Sequence, residues 1–195
     1  TYTLKVLSDV CRINPPKSEL SDLSQGTFVS FVPMADVNEN QIGFIAKQIK
    51  KLGEVMKGYT YFRDNDVLFA KVTPCFENGK AGIAKDLSNG IGFGSTEFYV
   101  LRSGEKILPE YLYRILSYTR FHDYATPKMT GTGGLRRVPK NVFSEFQIPL
   151  PPLSIQEEII SEIEGYQDEI EQLEKNIEVK KQKIKERIGK VWGES

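Results

Sequence analysis

The sequence predicts an α/β domain of the α+β kind, a small twisted mixed sheet with flanking helices, followed by one long C-terminal helix of coiled-coil type. Three observations point there. Short β-rich runs punctuated by Gly, Pro and Asn fill most of residues 1–150. One amphipathic helical stretch interrupts them after Pro109, and residues 154–191 repeat apolar side chains every three or four positions. With 195 residues, 39% hydrophobic and 11% aromatic, the chain can hold one domain of about 150 residues plus that helix. The expected division is 1–150 and 151–195.

Taken in order, Leu4 to Ile13 alternates loosely and predicts an opening strand, closed by a turn at Asn14-Pro15-Pro16. Gly26 to Pro33 predicts a strand with Phe28, Ser30 and Val32 on one face and Val29 and Phe31 on the other. Residues 34–60 mix turns with short apolar pieces, and Lys47, Lys50, Lys51 and Lys57 suit a solvated face. Asp66 to Val72 is the strongest strand signal; it feeds the polar loop Thr73 to Lys80 and a short strand, Ala81 to Ala84. Gly90 to Gly94 predicts a glycine-rich turn before a strand from Ser95 to Arg102. Pro109 suits the first position of a helix reaching about Tyr124, with Leu112, Ile115, Leu116 and Thr119 on one face. A short helix from Pro139 and a strand near Phe146 to Leu150 lead into Pro151-Pro152.

The closing helix carries the clearest pattern. Ser154 suits the N-cap, with Glu157 three residues on completing a capping box. Ile163, Ile170, Ile177, Ile184 and Val191 share one heptad position and Ile159, Tyr166 and Leu173 the other, with Ile188 extending the stripe. At 1.5 Å per residue such a helix is roughly 55 Å long, more than a compact domain this size needs. Its seam predicts a partner helix. Nine acids and one base, Lys175, lie between Glu157 and Glu178; six bases and one acid, Glu186, lie between Lys180 and Lys190. Two parallel copies would set acid beside acid, so antiparallel pairing is the expectation. The same polarity also suits the helix dipole. Lys180 and Arg187 weaken the stripe, and Gly165 marks an expected bend or close contact.

The net charge of zero hides an asymmetry: residues 1–150 carry 19 bases and 15 acids, residues 151–195 carry 7 bases and 11 acids. A mildly basic domain is compatible with nucleic acid without demanding it. Cys11 and Cys75 are too few and too far apart to suggest a disulfide framework or a zinc site. The absence of a signal peptide and of an apolar run of transmembrane length predicts a cytoplasmic protein without membrane contact. A start at Thr1 rather than Met suits a processed or excised piece.

Catalytic motifs are sparse. Asn14-Pro15-Pro16-Lys17 resembles the tetrapeptide with which amino-methyltransferases grip a flipped base, but Lys17 stands where a stacking ring belongs and no glycine-rich cofactor loop precedes it. His122, the single histidine, has no acid or nucleophile constellation around it. Asp64, Asp66, Glu77 and Lys80 are loosely spaced like a nuclease centre, yet Asp66 reads better as a turn residue opening a strand. Lys128-Met129-Thr130-Gly131-Thr132-Gly133-Gly134-Leu135-Arg136-Arg137 lacks the spacing and terminal Lys-Ser/Thr of a Walker loop. It predicts a flexible, basic, hydroxyl-bearing loop. Either its amides and arginines meet phosphates, or its arginines pair with nearby acids.

Several stretches together resemble the target recognition domain of Type I restriction–modification specificity (S) subunits. These are Asp66-Val67-Leu68-Phe69-Ala70-Lys71 with Gly79-Lys80, then Ser95-Thr96-Glu97-Phe98 leading into Val100-Leu101-Arg102. The third is Gly131-Thr132 through Ile148-Pro149-Leu150-Pro151-Pro152-Leu153 to Gln156-Glu157 and Ile159, which resembles the opening of that family's spacer helix. The resemblance spans about residues 4 to 190. It implies a non-catalytic subunit whose domain reads half of a split sequence in double-stranded DNA. It also implies antiparallel spacer helices that set the distance between two such domains and dock the modification subunits. Methyl transfer then belongs to a partner using S-adenosylmethionine, and cleavage to an ATP- and Mg-dependent restriction subunit, with no cofactor or metal on this chain. A full S subunit has two such domains and two helices, whereas this chain has one of each. It therefore either pairs with a second copy or is part of a longer chain.

Base-reading residues do not carry over from the resemblance, so the DNA-facing candidates rest on chemistry: Lys71, Asn78 and Lys80 from the first loop, and Lys128, Thr130, Thr132, Arg136 and Arg137 from the second. Arg and Asn suit bidentate base contacts, Lys and Thr phosphate. Two other readings stand beside this one. A stand-alone methyltransferase or nuclease needs motifs the sequence lacks, and a coiled-coil interaction module needs no DNA.

Overall fold

A computed structural model describes residues 2–193. The chain divides into two compact units, with the boundary after Gln156.

In the first unit the strands are β1 (Leu4–Val6), β2 (Cys11–Ile13), β3 (Phe28–Val32), β4 (Gln48–Lys51), β5 (Thr60–Arg63), β6 (Val67–Ala70), β7 (Ala81–Ile83), β8 (Ile91–Gly94), β9 (Phe98–Ser103), β10 (Thr130–Thr132), β11 (Leu135–Arg137) and β12 (Gln147–Pro149). The helices are α1 (Leu52–Val55), α2 (Pro109–Ser117), α3 (Thr119–Ala125), α4 (Lys140–Ser144) and α5 (Leu153–Val191), which opens in this unit and continues into the second. The α+β class holds, and the expected single sheet resolves into two. Among the described residues, β2-β9-β6-β7 form an antiparallel sheet and β4-β3-β8-β5 a mixed one, in which β3 and β8 run parallel. Two ribbons, β1-β12 and β10-β11, complete the set.

The two sheets meet through Val32, Phe62, Leu68, Phe98 and Val100. The far face of the antiparallel sheet, Phe69 and Tyr99, packs on Tyr113, Phe121 and Phe143 with ring centroids 4.9 to 6.5 Å apart. Each such buried ring contributes about 1.5–3 kcal/mol by leaving water. All four residues of β6 are buried because both faces of that sheet are covered.

Several expectations change. Leu4 to Ile13 is two strands, not one, split by a 3-10 turn over Leu7–Asp9; β1 pairs with β12 and β2 with β9. Gly90 to Gly94 is not a turn. The turn is confined to Ser88–Gly90, and β8 lies in the middle of the mixed sheet. Its glycines report close packing: a Cβ at Gly92 would stand 2.1 Å from the Phe62 ring. The helix from Pro109 breaks at Tyr118, whose extended backbone separates α2 from α3. Ser154 lies inside the first turn of α5 rather than capping it, because the Pro152 carbonyl already accepts from the amides of Ile155 and Gln156, each at 3.0 Å. Gln156, not Glu157, ties down the entry: its amide accepts from Leu108 N and donates to the carbonyls of Lys106 and Pro151, all at 2.9 Å.

Asn14 turns the chain in the left-handed region (φ 54°), and its side chain accepts from Val100 N at 3.0 Å. The Asn-Pro-Pro segment is thus a clamp on β9. Asp66, 1% exposed, is more than a turn residue. Its carboxylate takes both Nε and Nη2 of Arg102, at 2.8 and 2.7 Å, and the Arg63 amide at 2.7 Å, while Arg102 Nη1 reaches Glu19 at 2.6 Å. Hydrogen bonding to Asp66 raises Arg102 above its ordinary pKa. This latch stands at the Val67↔Leu101 end of the β6–β9 ladder and fixes its register.

The second unit is the remainder of α5. Tyr166, Ile170, Leu173, Ile177, Ile184, Ile188 and Val191 are each more than half exposed, and Ile159 and Ile163 partly so. The helix is continuous through Gly165, where a Cβ would meet nothing within 4 Å of this chain, leaving room for a neighbouring helix. Among the described residues no helix is long and apolar enough to cross a membrane.

Candidate nucleic-acid interface

Within the segment from Lys128 to Arg137, where the sequence predicts a loop, Thr130 to Arg137 form a β-hairpin. β10 and β11 pair with Thr130 opposite Arg137, Gly131 opposite Arg136 and Thr132 opposite Leu135. Gly133 and Gly134, both at positive φ (63° and 80°), make the two-residue turn that matches strand twist. Strand alternation then puts Thr130, Thr132, Leu135 and Arg137 on one face and Arg136 on the other. The two arginines, neighbours in sequence, diverge.

Each arginine meets an acid. Arg137 forks onto Glu97 through Nε (2.9 and 3.1 Å) and Nη2 (2.7 Å), which holds the Glu97 carboxyl below its ordinary pKa. Arg136 Nη2 contacts Glu77 at 3.3 Å. The reading in which these arginines pair with acids is therefore met in the structure. The pairs leave 43% of the Arg137 side chain and 45% of the Arg136 side chain exposed. Glu97 grips the Nε–Nη2 edge of Arg137, so the Nη1 end points away from the pair.

The hairpin is fastened to the first loop. Thr73 Oγ1 donates to Gly134 O at 2.7 Å and accepts from Arg136 N at 3.0 Å, while Thr73 N donates to Arg136 O at 2.9 Å. Val138 N donates to Lys71 O at 2.8 Å, and Val72 bridges Arg137. The Thr73–Pro74 peptide is cis.

The candidates fall into four places, one of them the Arg136 face of the hairpin against Glu77. Lys71, with its amide on Glu97 O, its carbonyl accepting from Val138 N and its ammonium 5.1 Å from the Tyr99 ring, lies at the Arg137 end of the hairpin, where Thr130 pairs with Arg137 and Thr132 follows on the same face. Asn78 and Lys80 are tied to the neighbouring segment: Asn78 donates to Glu39 at 3.1 Å and Lys80 to the Met34 carbonyl at 3.3 Å. Lys128 folds back at the hairpin base, 3.6 Å over the Tyr124 ring, and donates to the Tyr124 carbonyl at 2.8 Å. Sequence reading missed Thr73, Glu77, Glu97 and Leu135. The Thr-x-Thr-Gly-Gly-Leu-x-Arg alternation around a two-glycine turn carried the hairpin signal; the acids that receive the arginines carried none.

The loosely nuclease-like residues have other duties. Asp64 accepts from Leu87 N at 3.0 Å, Asp66 holds Arg102, and Glu77 meets Arg136. Among the described residues no group of three or more His, Cys, Asp or Glu could hold a metal ion. His122 stacks on Phe76 at 4.6 Å, and burial lowers its pKa, favouring the neutral ring.

The sequence profile of the Type I restriction modification DNA specificity domain matches residues 1–181. The chain belongs to that family. Two Escherichia coli relatives are the specificity subunit of the Type I restriction enzyme EcoEI, 44% identical over 156 residues, and that of EcoAI, 42% identical over 155 residues. Each alignment covers 79% of this chain and 26% of the relative, so the chain spans about a quarter of their length. Among solved structures, the HsdS subunit from Thermoanaerobacter tengcongensis superposes with TM-score 0.71 at 21% identity, over 89% of this chain and 44% of that one. The S subunit from M. genitalium gives 0.52 at 12% identity, over 92% and 42%. These likenesses establish the fold. Within this specificity domain, the hairpin and the Thr73–Lys80 loop form one connected polar surface.

Proposed function

We propose that this chain is the DNA-reading part of a Type I restriction–modification specificity subunit, and that it reads one half of a split target. The hairpin β10–β11 carries this reading. A two-stranded ribbon fits the major groove, about 12 Å wide. Here both strands are exposed, the turn projects two glycines, and hydroxyls, Leu135 and an oriented guanidinium share one face. Thr130, Thr132 and Arg137 would address base edges or phosphates from that face, with Lys71 behind them. Arg136, Asn78, Lys80 and Lys128 would contact the backbone to either side. The chain supplies no chemistry of its own: S-adenosylmethionine, ATP and Mg belong to the modification and restriction subunits it directs, in the cytoplasm. Domain residues 1–150 read, and residues 151–195 space.

The exposed seam of α5 would pair antiparallel, acidic half against basic half, with a second copy or with its counterpart in a longer chain.

Duplex-library selection followed by binding across a salt series tests the reading. Arg136→Ala with Arg137→Ala should weaken binding and lower the salt slope by up to about 0.9 for each phosphate no longer neutralised. Unchanged affinity and slope would reject the hairpin's placement on DNA. Light scattering tests the seam, and a monomer at micromolar concentration would sink pairing with a second copy. Methyl transfer or cleavage by the purified chain alone would favour the enzyme reading, and failure to bind any duplex the interaction-module reading.

A further inference from the structure

A third segment adjoins the hairpin and the Thr73–Lys80 loop. Residues 37–47 contain no regular element except isolated bridges, yet their backbone is held at several points. Val37 and Phe44 are buried in the core between the sheets. Ile83 N donates to Ile42 O at 2.7 Å, Asn38 Nδ2 to Gly43 O at 3.4 Å, and Lys47 pairs with Asp36 at 3.6 Å. The segment also joins the first loop: Asn40 N donates to Gly79 O at 3.1 Å, Asn78 donates to Glu39, and Glu39 bridges Lys80. Since Glu77 meets Arg136 and Thr73 holds Gly134, the three segments are continuous.

The side chains this segment exposes suit contact with base edges. Gln41 is exposed, with no side-chain hydrogen bond among the described residues. Ile45 is 76% exposed, the highest value for a large hydrophobic side chain among the described residues of the globular unit. A primary amide forks onto adenine N6 and N7, and an aliphatic side chain suits the thymine methyl. Both lie in a segment tethered at Asn40, Ile42 and Phe44, which lowers the ordering cost relative to an untethered loop.

We propose that residues 38–47 are a second DNA-reading element, in which Gln41 recognises adenine and Ile45 packs on a thymine methyl in the major groove. The proposal rests on the DNA-reading function above and adds the base class read at this position.

The test uses the full chain, selecting bound duplexes from a randomised library and then measuring single-base discrimination for wild type, Gln41→Ala and Ile45→Ser. Both side chains are exposed, and thermal melting checks that the variants stay folded. Gln41→Ala should lose roughly tenfold or more of the preference at one A·T position while keeping its salt dependence. Ile45→Ser should lower the preference for thymine over cytosine by a smaller factor. If the variants select the same sequence with the same discrimination, the proposal is overturned while the DNA-reading function stands. A wild-type chain that selects no sequence overturns that function and this proposal with it.

Discussion

Thr73 is the peg on which the hairpin hangs, and Thr73→Val removes the peg while keeping its shape. Valine loses the bond donated to Gly134 O (2.7 Å) and the one accepted from Arg136 N (3.0 Å). A typical intramolecular hydrogen bond is worth about 0.5–1.5 kcal/mol net, so two at an exposed site come to about 1–2 kcal/mol. The backbone bonds from Thr73 N to Arg136 O and from Val138 N to Lys71 O survive, so the hairpin stays attached but opens more often. Amide hydrogen exchange reads this directly. The Arg136 amide should exchange roughly five- to thirtyfold faster, with little change in global unfolding. DNA affinity should fall by up to a similar factor with the salt slope unchanged, since the variant still neutralises the same phosphates. Equal protection at Arg136 and equal affinity in the variant would refute the idea that this hydroxyl orders the hairpin.

Other expectations follow from the same geometry. Asp66→Asn removes the buried charge that Arg102 forks onto, leaving Glu19 as its charged partner, and should cost about 3 kcal/mol in urea unfolding because a buried ion pair is broken from one side; a loss under about 1 kcal/mol would show the latch to be dispensable. At Glu19, burial pushes the carboxyl up, but hydrogen bonds from Arg102 and Tyr61 outweigh it and leave the pKa below its ordinary 4.5; the Arg137 hydrogen bond depresses Glu97 likewise. Each carboxyl binds its proton less readily folded than unfolded, so their contribution is present above about pH 4.5 and is lost as pH falls through the folded pKa values. Urea midpoints measured between about pH 6 and pH 3 should decline at the acid end, less steeply in Glu19→Gln. Burial pushes the Cys11 thiol up to about 12, whereas Cys75 is half-buried; a thiol reagent at neutral pH should modify Cys75 and reach Cys11 only after denaturation, a difference quantified by mass spectrometry.

Local pattern made some elements legible and hid others. The Val67–Ala70 strand and the Leu153–Val191 helix announce themselves because their periods, continuous apolar and heptad, are written in consecutive residues. The Gly90–Gly94 stretch misleads because glycine has two uses. Only the Phe62 ring lying over Gly92 shows that this one makes room rather than turning the chain. Tyr118 breaks the helix after Pro109 although nothing in the surrounding sequence forbids α-helix there.

The candidate interface divides in the same way. Sequence chemistry brought Lys71, Thr130, Thr132, Arg136 and Arg137 into view, because bases and hydroxyls in a glycine-rich stretch suit phosphates and base edges. It could not show that the arginines point to opposite faces, since that follows from the register that sets Thr130 opposite Arg137. Nor could it pair Arg137 with Glu97 or Arg136 with Glu77, residues 40 and 59 positions apart.

By itself, then, the sequence determined the α+β class, the heptad seam of the long helix with its reversal of charge, and the family likeness. Each of these is a property of residues a few positions apart, where helix and strand periods act. Tertiary structure alone decided the division into two sheets, the Asp66–Arg102 latch and the joining of the hairpin to Thr73. Those depend on strand register and on buried charges finding partners far along the chain, and neither leaves a mark in local composition.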